Sequence, residues 1–286
     1  MAPLVSVVVP VYNGMPHLTA LVDALLAQDY PDLEFVFTEG GGSDGSADYL
    51  ATLTDPRIHV IQMPQGTSAA ENWTAATQAA KGEFIKLVCQ DDLIAPDAIS
   101  RQVHDLQSHS SAVMAIAPRD IIDAKGAILY SMRGCQGLAP GLHPGAEVIR
   151  RCYLRGTNII GEPLAVLFRR QTLLDAMPWD DSNPLMLDVT TYAKVAPTGD
   201  IVVRQESIGA FRVSTSSWST RLAKVQRAQF ARWQHEYAEQ QQPQPGALDR
   251  ARAWLGMEQQ ALLRRAAYRV LAAKGAFRTE ATAADR

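Results

Sequence analysis

The sequence contains only three cysteines, at positions 89, 135 and 152, and no two of them form a C-x-x-C pair. An odd number of cysteines without that spacing argues against a disulfide framework or a zinc ribbon. No apolar run approaches the roughly 18 residues that cross a bilayer, and no basic stretch precedes the first apolar segment. We therefore expect a cytoplasmic protein without a membrane span or a secretory signal.

Several catalytic signatures are also missing. No G-x-S-x-G element and no P-loop lysine occur, which argues against a triad hydrolase and against P-loop phosphoryl transfer. The glycines at 40–42 follow the second predicted strand, whereas the dinucleotide fingerprint G-x-G-x-x-G belongs after the first. A nicotinamide-dependent oxidoreductase remains a competing hypothesis, and it predicts cofactor binding that does not depend on a divalent metal.

The composition is that of a folded protein with an uneven charge distribution. Of 286 residues, 47% are hydrophobic and 20% are charged, which excludes a disordered chain. Residues 219–286 hold 12 Lys and Arg against 6 Asp and Glu, whereas the whole chain has a net charge of −3. An acidic body with a basic tail does not favour free nucleic acid as a partner.

Alternating β-branched runs and amphipathic segments predict four strand–helix pairs over residues 5–108. The first strand, Val5 to Val9, is expected to end at Pro10, and Ser68 with Glu71 forms a capping-box pattern that starts a helix. This order predicts an α/β protein in which helices flank a mostly parallel central sheet. After residue 111 the pattern changes, and Asp123–Gly126 predicts a hairpin turn.

Three segments follow predicted strands: Pro10–Asn13, Glu39–Ser46 and Gln90–Asp92. In parallel sheets ligands bind beyond the carboxyl ends of the strands, so we expect these segments to lie together. Asp91 and Asp92 are adjacent carboxylates, which is costly unless a cation compensates. Mg²⁺ or Mn²⁺ suits such oxygen ligands. The alternative is a solvated turn before the next helix.

The motifs VSVVVPVYN (Val5–Asn13), Glu39–Ser46, Lys81–Phe84 and Gln90–Asp92 together resemble family 2 glycosyltransferases with the GT-A fold. The similarity covers about residues 4–215, and Gly161-Glu162-Pro163 resembles a further segment of such enzymes. The resemblance implies an inverting, metal-dependent hexosyl- or deoxyhexosyltransferase that uses a nucleotide-diphosphate sugar.

The resemblance also implies roles for particular residues. The nucleotide sugar would be held by Pro10, Val11, Tyr12, Glu39, Asn72, Asp91 and Arg212. Asp91 and Asp92 would bind the metal, and Asp188 would be the catalytic base. The sequence departs from the family pattern at Glu39-Gly40-Gly41-Gly42, where Asp-Asp-Gly-Ser is usual, and at Cys89 and Leu187, where acidic residues are usual.

A base is needed because a sugar hydroxyl is a weak nucleophile until its proton is removed. An ordinary aspartate has a pKa of about 3.9 and is ionised at neutral pH. Asp188 is therefore expected to be ionised and able to accept the proton of the sugar hydroxyl. The alternative is a carboxylate that only stabilises the start of a helix. Asp180 and Asp181 are further candidates.

Two tryptophans and one arginine have open roles. Trp218 and, less strongly, Trp179 could stack on an acceptor sugar, and the alternative for Trp179 is packing in the core. Arg212 could bind the donor phosphate or pair with an acidic surface residue.

We divide the chain into a catalytic domain, residues 1–215, and a helical extension, residues 216–286, with a linker near 240–246. The catalytic domain is divided further into a nucleotide-sugar half (about 1–110) and an acceptor half (about 111–215). For the extension we favour packing on the catalytic domain or on a second copy over contact with the inner face of the plasma membrane.

The expected function is transfer of a sugar to a glycan or lipid-linked acceptor in surface polysaccharide biosynthesis, with UDP- or dTDP-linked donors suggested by family habit. The alternative is a non-catalytic protein that binds a nucleotide sugar or a glycan on the same scaffold.

Overall fold

Two β-sheets carry the fold of the computed structural model, which describes residues 2–213 and 225–273. The strands are β1 (Val5–Val11), β2 (Leu33–Glu39), β3 (Ile58–Gln62), β4 (Phe84–Leu87), β5 (Leu93–Ile94), β6 (Ala112–Ile116), β7 (Arg119–Ile122), β8 (Ile128–Arg133), β9 (Gly141–Pro144), β10 (Val166–Arg169), β11 (Asp200–Val203) and β12 (Gly209–Arg212). The helices are α1 (His17–Leu26), α2 (Ser46–Ala51), α3 (Ala69–Ala79), α4 (Ala98–Ser108), α5 (Gly145–Arg155), α6 (Arg170–Leu174), α7 (Leu187–Val195), α8 (Gln226–Gln240) and α9 (Ala247–Ala273).

The predicted alternation of strands and helices over the first 108 residues is confirmed. The large sheet has the order β3-β2-β1-β4-β10-β6-β11-β9, and β1 to β4 pair in parallel. Side chains alternate between its faces: Val8 packs into one hydrophobic cluster, whereas Val7 and Val9 pack into another. The prediction of a mostly parallel central sheet flanked by helices is therefore confirmed.

Two strands depart from a purely parallel arrangement. β10 lies between β4 and β6 and runs antiparallel to both, and β9 runs antiparallel to β11 at the edge. A second sheet, with the order β5-β12-β7-β8, was not predicted. The predicted turn at Asp123 is confirmed, since its Oδ1 accepts hydrogen bonds from Lys125 N (2.8 Å) and Ala127 N (2.9 Å) between β7 and β8.

The prediction that Pro10 ends the first strand is wrong. Pro10 lies inside β1 and is paired in register with Thr38 of β2. Val8 O accepts from Val88 N on the β4 side, so Pro10, two residues later, faces the same side beyond the end of β4. The missing N–H therefore leaves no gap in the sheet.

The C-terminal helices pack on α5. Gln234 Nε2 in α8 donates to Tyr153 O of α5 (2.7 Å) and to Ala253 O of α9 (3.0 Å). Gly156, which ends α5 with a φ of 64°, is so close to α9 that a Cβ there would lie 2.1 Å from Met257 N. The packing is therefore direct and close, and residues 241–246 separate the two helices.

Among the residues that the structure describes, no helix is both long enough and apolar enough to cross a membrane.

Candidate active site

The site lies where β1, β2 and β4 end, at one edge of the large sheet. The carbonyl oxygen of Val11 accepts hydrogen bonds from Gly40 N (2.8 Å) and Asn72 Nδ2 (3.1 Å). Pro10 is buried just before it, and Tyr12 just after it has a side chain that is 56% exposed. The structure thus brings together four of the residues assigned to the nucleotide sugar.

Glu39 is buried at the end of β2, and its carboxylate is engaged by its own loop. Oε2 accepts from Gly41 N (3.0 Å) and Oε1 accepts from Gly42 N (2.9 Å). Because both oxygens accept backbone hydrogen bonds, Glu39 fixes the shape of the glycine loop. A direct contact between Glu39 and the nucleoside stays a prediction.

The glycine at position 42, where the family pattern has serine, has a steric reason. A Cβ at this position would lie 2.7 Å from Asn13 Oδ1 and 2.8 Å from Asn13 N. Asn13 Oδ1 also accepts from Ser43 N (2.9 Å). Without a side chain at Gly42, the second loop can therefore contact the turn after β1 directly.

Gln90 joins the turn after β1 to the acidic doublet. Its Oε1 accepts from Tyr12 N (2.6 Å), and its Nε2 donates to Tyr12 O (2.7 Å). The side-chain amide thus accepts from and donates to the backbone of Tyr12, as the backbone of a neighbouring strand would. The sequence placed Gln90 in a motif but gave no sign of this role, because the partner lies 78 positions away in the chain.

Asp92 is completely buried, and Asp91 beside it is partly buried. Burial, together with the charges of Asp91 and Glu162, raises the pKa of Asp92 well above its ordinary range. Burial also raises the pKa of Asp91, which a backbone hydrogen bond and Arg212 partly offset. Two carboxylates are therefore held side by side where ionising both is costly, and a cation would relieve that cost.

The doublet fits a divalent metal by its chemistry. Asp92 Oδ2 is buried and has no hydrogen-bond partner among the described residues. Within that part of the chain, no group of three or more His, Cys, Asp or Glu side chains is placed to hold a metal. Mg²⁺ commonly takes only one or two carboxylates and completes its shell with substrate phosphates and water. Asp91 and Asp92 therefore fit an ion that binds together with a nucleotide diphosphate.

Arg212 holds the doublet in place. Its backbone N donates to Asp92 Oδ1 (3.3 Å), and its Nε donates to Asp91 O (2.9 Å). Its Nη1 donates to Asp123 O (3.1 Å) and Ala124 O (3.2 Å) at the β7–β8 turn. The alternative of pairing with an acidic surface residue does not match these contacts, because Arg212 is buried and its side chain binds backbone carbonyls. A phosphate contact stays a prediction.

A buried lysine supports the same region. Lys86 in β4 is completely buried, and its Nζ donates to Gln102 Oε1 of α4 (2.7 Å) and to Leu164 O (2.7 Å). Burial lowers the pKa of Lys86 to about 7, and the charge of Asp92 opposes that fall. The amine therefore ties α4 and the segment after Glu162 to the sheet.

Asp188 lies partly buried in the first turn of α7. Its Oδ2 accepts from Asn158 Nδ2 (2.8 Å), and its Oδ1 accepts from Val189 N (2.6 Å). Burial raises the pKa of Asp188 to about 7, the charge of Glu162 adds to the rise, and the two hydrogen bonds oppose it. The expectation of an ordinary, fully ionised aspartate is therefore wrong, because the sequence does not reveal this burial.

Glu162 connects the two acidic parts of the site. Its charge raises the pKa of both Asp92 and Asp188, so the doublet and the candidate base share one electrostatic neighbourhood. Glu162 forms an ion pair with the buried Arg119, whose charge opposes both rises. The sequence pointed to Gly161-Glu162-Pro163 only as a family-like segment and did not identify Glu162 as part of the site.

The acceptor role predicted for Trp179 is wrong. Trp179 is 2% exposed, its Nε1 donates to Thr77 Oγ1 (2.9 Å), and it meets the Trp73 ring edge-on at 5.2 Å. No face of the ring is left for a sugar, and the alternative of core packing applies. Trp218, the other predicted acceptor residue, lies outside the described residues.

A cavity of about 330 Å³ opens beside Asp188. One wall is the small sheet, where Phe211, Ile121 and Tyr130 are neighbours in register across β12, β7 and β8. The C-terminal helices supply a further wall through Gln226, Phe230, Gln260, Arg264 and Ala267. A molecule in this cavity would meet the carboxylate of Asp188 with an apolar surface at its side.

The family model described as "Glycosyl transferase family 2" matches residues 6–171. The uncharacterised protein MT1568 of Mycobacterium tuberculosis is 27% identical over 234 residues, which are 79% of this chain and 72% of that protein. TuaG of Bacillus subtilis, named as a glycosyltransferase of teichuronic acid biosynthesis, is 30% identical over 112 residues, 38% of this chain and 44% of that protein. Several relatives are matched over only 38–44% of their own length.

Solved structures share the fold. Staphylococcus aureus TarS 1–349 in complex with UDP-GlcNAc has a TM-score of 0.61 at 16% identity, covering 79% of this chain and 66% of that one. The mannosyltransferase PcManGT from Pyrobaculum calidifontis, in complex with GDP-Man and Mn²⁺, has a TM-score of 0.61 at 18% identity, covering 98% of this chain and 77% of that one.

The central sheet and its flanking helices have the GT-A fold. Since the family model covers more than half of the sequence, the chain belongs to glycosyl transferase family 2.

Proposed function

We propose that this protein transfers a sugar from a nucleotide-diphosphate donor to a hydroxyl group of a glycan or lipid-linked acceptor, with inversion at the anomeric carbon. The proposal rests on one observation: Asp92, Glu162 and Asp188 share an electrostatic neighbourhood beside the loops that end β1 and β2. Family membership supports the transferase class. The similarity to TuaG supports a role in surface polysaccharide biosynthesis.

We assign the donor to the first half of the catalytic domain and the acceptor to the second. The donor would lie along the ends of β1, β2 and β4, and the acceptor would enter the cavity beside Asp188. UDP- and dTDP-linked hexoses or deoxyhexoses are the donors we propose. The two structural relatives bind UDP-GlcNAc and GDP-Man. These ligands support a nucleotide sugar as donor but do not indicate which nucleobase it carries.

In the proposed reaction, Asp188 accepts the proton of the acceptor hydroxyl while the hydroxyl oxygen bonds to the anomeric carbon. The bond from that carbon to the diphosphate oxygen breaks on the opposite face, and the nucleoside diphosphate leaves with the electron pair. One displacement of this kind inverts the configuration. Asn158 holds the carboxylate in a fixed orientation. An ion held by Asp91 and Asp92 would neutralise charge on the departing diphosphate.

The test is a panel of nucleotide sugars measured by thermal shift with Mg²⁺ or Mn²⁺ and with chelator. We expect one nucleotide sugar to stabilise the protein strongly with metal, by about 2.7 kcal/mol at a hundredfold excess over Kd. Asp92→Asn should abolish the metal-dependent part of this shift, whereas Asp175→Asn, at an exposed position, should not. A thermal shift by the nucleotide sugar that is unchanged by chelator would contradict metal-dependent binding.

Release of nucleoside diphosphate, measured with acceptor glycans, then separates an enzyme from a binding protein. Tight metal-dependent binding without any release would support the non-catalytic alternative.

A further inference from the structure

The outward side of α9 carries large apolar side chains together with arginines. Large apolar side chains with more than half of their surface exposed recur along it: Leu248 (65%), Trp254 (55%), Leu255 (59%), Leu262 (63%) and Leu263 (55%). We call these five residues the α9 face. Leu248, Leu255 and Leu262 recur every seven residues, so they form a line along the helix. Single exposed leucines are ordinary, but a contiguous apolar row marks an interaction surface.

Packing on the catalytic domain prevents α9 from rotating about its axis to bury the α9 face. Its opposite side packs into the core through Ala253 (2% exposed), Met257 (2%) and Ala261 (7%). At Gly256 the approach to α5 is so close that a Cβ would lie 2.5 Å from Leu154 O. The side that points outward is therefore fixed by packing on the catalytic domain.

The charges around the α9 face are positive. Exposed arginines lie among its side chains at three positions: Arg252, Arg265 and Arg269. The two acidic residues of α9 are engaged by neighbouring elements, since Asp249 pairs with Arg150 of α5 (2.7 Å) and Glu258 pairs with Arg227 of α8. A partner would thus meet leucines and a tryptophan surrounded by guanidinium groups.

We propose that the α9 face binds an anionic lipid bilayer, with α9 lying in the headgroup plane without crossing it. Leucines and a tryptophan interspersed with arginines on the outward side suit the interface of an anionic bilayer, where the apolar side chains enter the acyl boundary and the cations meet anionic headgroups. A second copy of the chain fits less well, because its arginines would face these arginines. This proposal does not depend on the sugar-transfer reaction.

The test is co-sedimentation of the full chain with vesicles of phosphatidylcholine, alone or mixed with phosphatidylglycerol. We expect binding to the anionic vesicles, weaker binding at high salt, and little binding to the neutral vesicles. Leu255→Asp and Leu262→Asp should each lower the vesicle partition coefficient at least about tenfold, because a charge replaces an inserted leucine. Leu142→Asp, at a leucine that is 44% exposed on β9, is the matched control and should bind as the parent does.

The double variant Arg265→Glu/Arg269→Glu should lose its preference for anionic vesicles, whereas Lys81→Glu, an exposed cation elsewhere, should keep it. Circular dichroism melts establish that each variant is folded. Equal binding by the α9 variants and their controls, or no vesicle binding at all, would refute the proposal. A dimer in sedimentation equilibrium that Leu255→Asp dissociates, without vesicle binding, would assign the face to a second copy instead.

Discussion

Replacing Asp188 by asparagine is expected to lower activity and raise stability. Burial and the charge of Glu162 raise the pKa of Asp188 to about 7, whereas an unfolded aspartate titrates at about 3.9. Between these pH values the folded chain binds the proton more tightly, so stability that is present at low pH is lost as the pH rises to 7. At about 1.36 kcal/mol per pKa unit, the ionised carboxylate lowers the free energy of unfolding by up to about 4 kcal/mol.

Asparagine removes this cost but loses one hydrogen bond. Its side chain has a single acceptor, whereas Asp188 accepts from both Asn158 and Val189. Asn158 cannot reverse its amide to compensate, because its Oδ1 accepts from Ile160 N (3.0 Å) and Gly161 N (3.1 Å). One lost hydrogen bond costs about 1 kcal/mol. The variant should therefore gain about 2–3 kcal/mol of unfolding free energy at pH 8 and lose that advantage near pH 4.

Loss of the base should lower kcat by about 10²–10⁴-fold while donor affinity stays unchanged. In the parent protein, kcat/KM should fall about tenfold per pH unit below pH 7, because only ionised Asp188 accepts a proton. Denaturant unfolding at both pH values and release of nucleoside diphosphate measure the two effects, with Asp175→Asn as the exposed control. Wild-type turnover in the variant, or a stability gain of equal size at pH 4 and pH 8, would refute the reasoning.

Two further predictions concern the surroundings of the base and of the donor loop. Glu162→Gln removes a charge that raises the pKa of Asp188. The fall of kcat/KM on the acid side should therefore occur at lower pH in this variant than in the parent. An unchanged pH dependence of kcat/KM would contradict an effect of Glu162 on Asp188. Gly42→Ala places a Cβ against Asn13 and should weaken donor binding, measured by calorimetry. The control is Gly246→Ala, where a Cβ would have no atom within 4 Å and donor binding should not change. Equal donor affinities in both variants would show that the loop contact is unimportant for the donor.

The parts of the fold that could be predicted from sequence are those set by short-range chemistry. The capping box at Ser68 is present because both of its hydrogen bonds join residues three positions apart. The turn at Asp123 is likewise closed by its own side chain. The strand–helix alternation of the first half follows from side-chain periodicity within single elements.

The parts that could not be predicted depend on contacts between distant segments. β10 inserts antiparallel between β4 and β6, an order that no local pattern encodes. Trp179 is buried because Thr77 and Trp73, about a hundred positions away, close over it. Glu162 becomes part of the site only through its ion pair with Arg119 and its proximity to both aspartates.

The family model ends at residue 171, whereas α8 and α9 form a wall of the cavity beside Asp188. If the acceptor enters this cavity, as proposed above, relatives that share the donor loops could diverge in acceptor choice by exchanging these helices. A fragment cut at residue 215 would keep Asp91, Asp92 and Asp188 but would open one side of the cavity to bulk solvent.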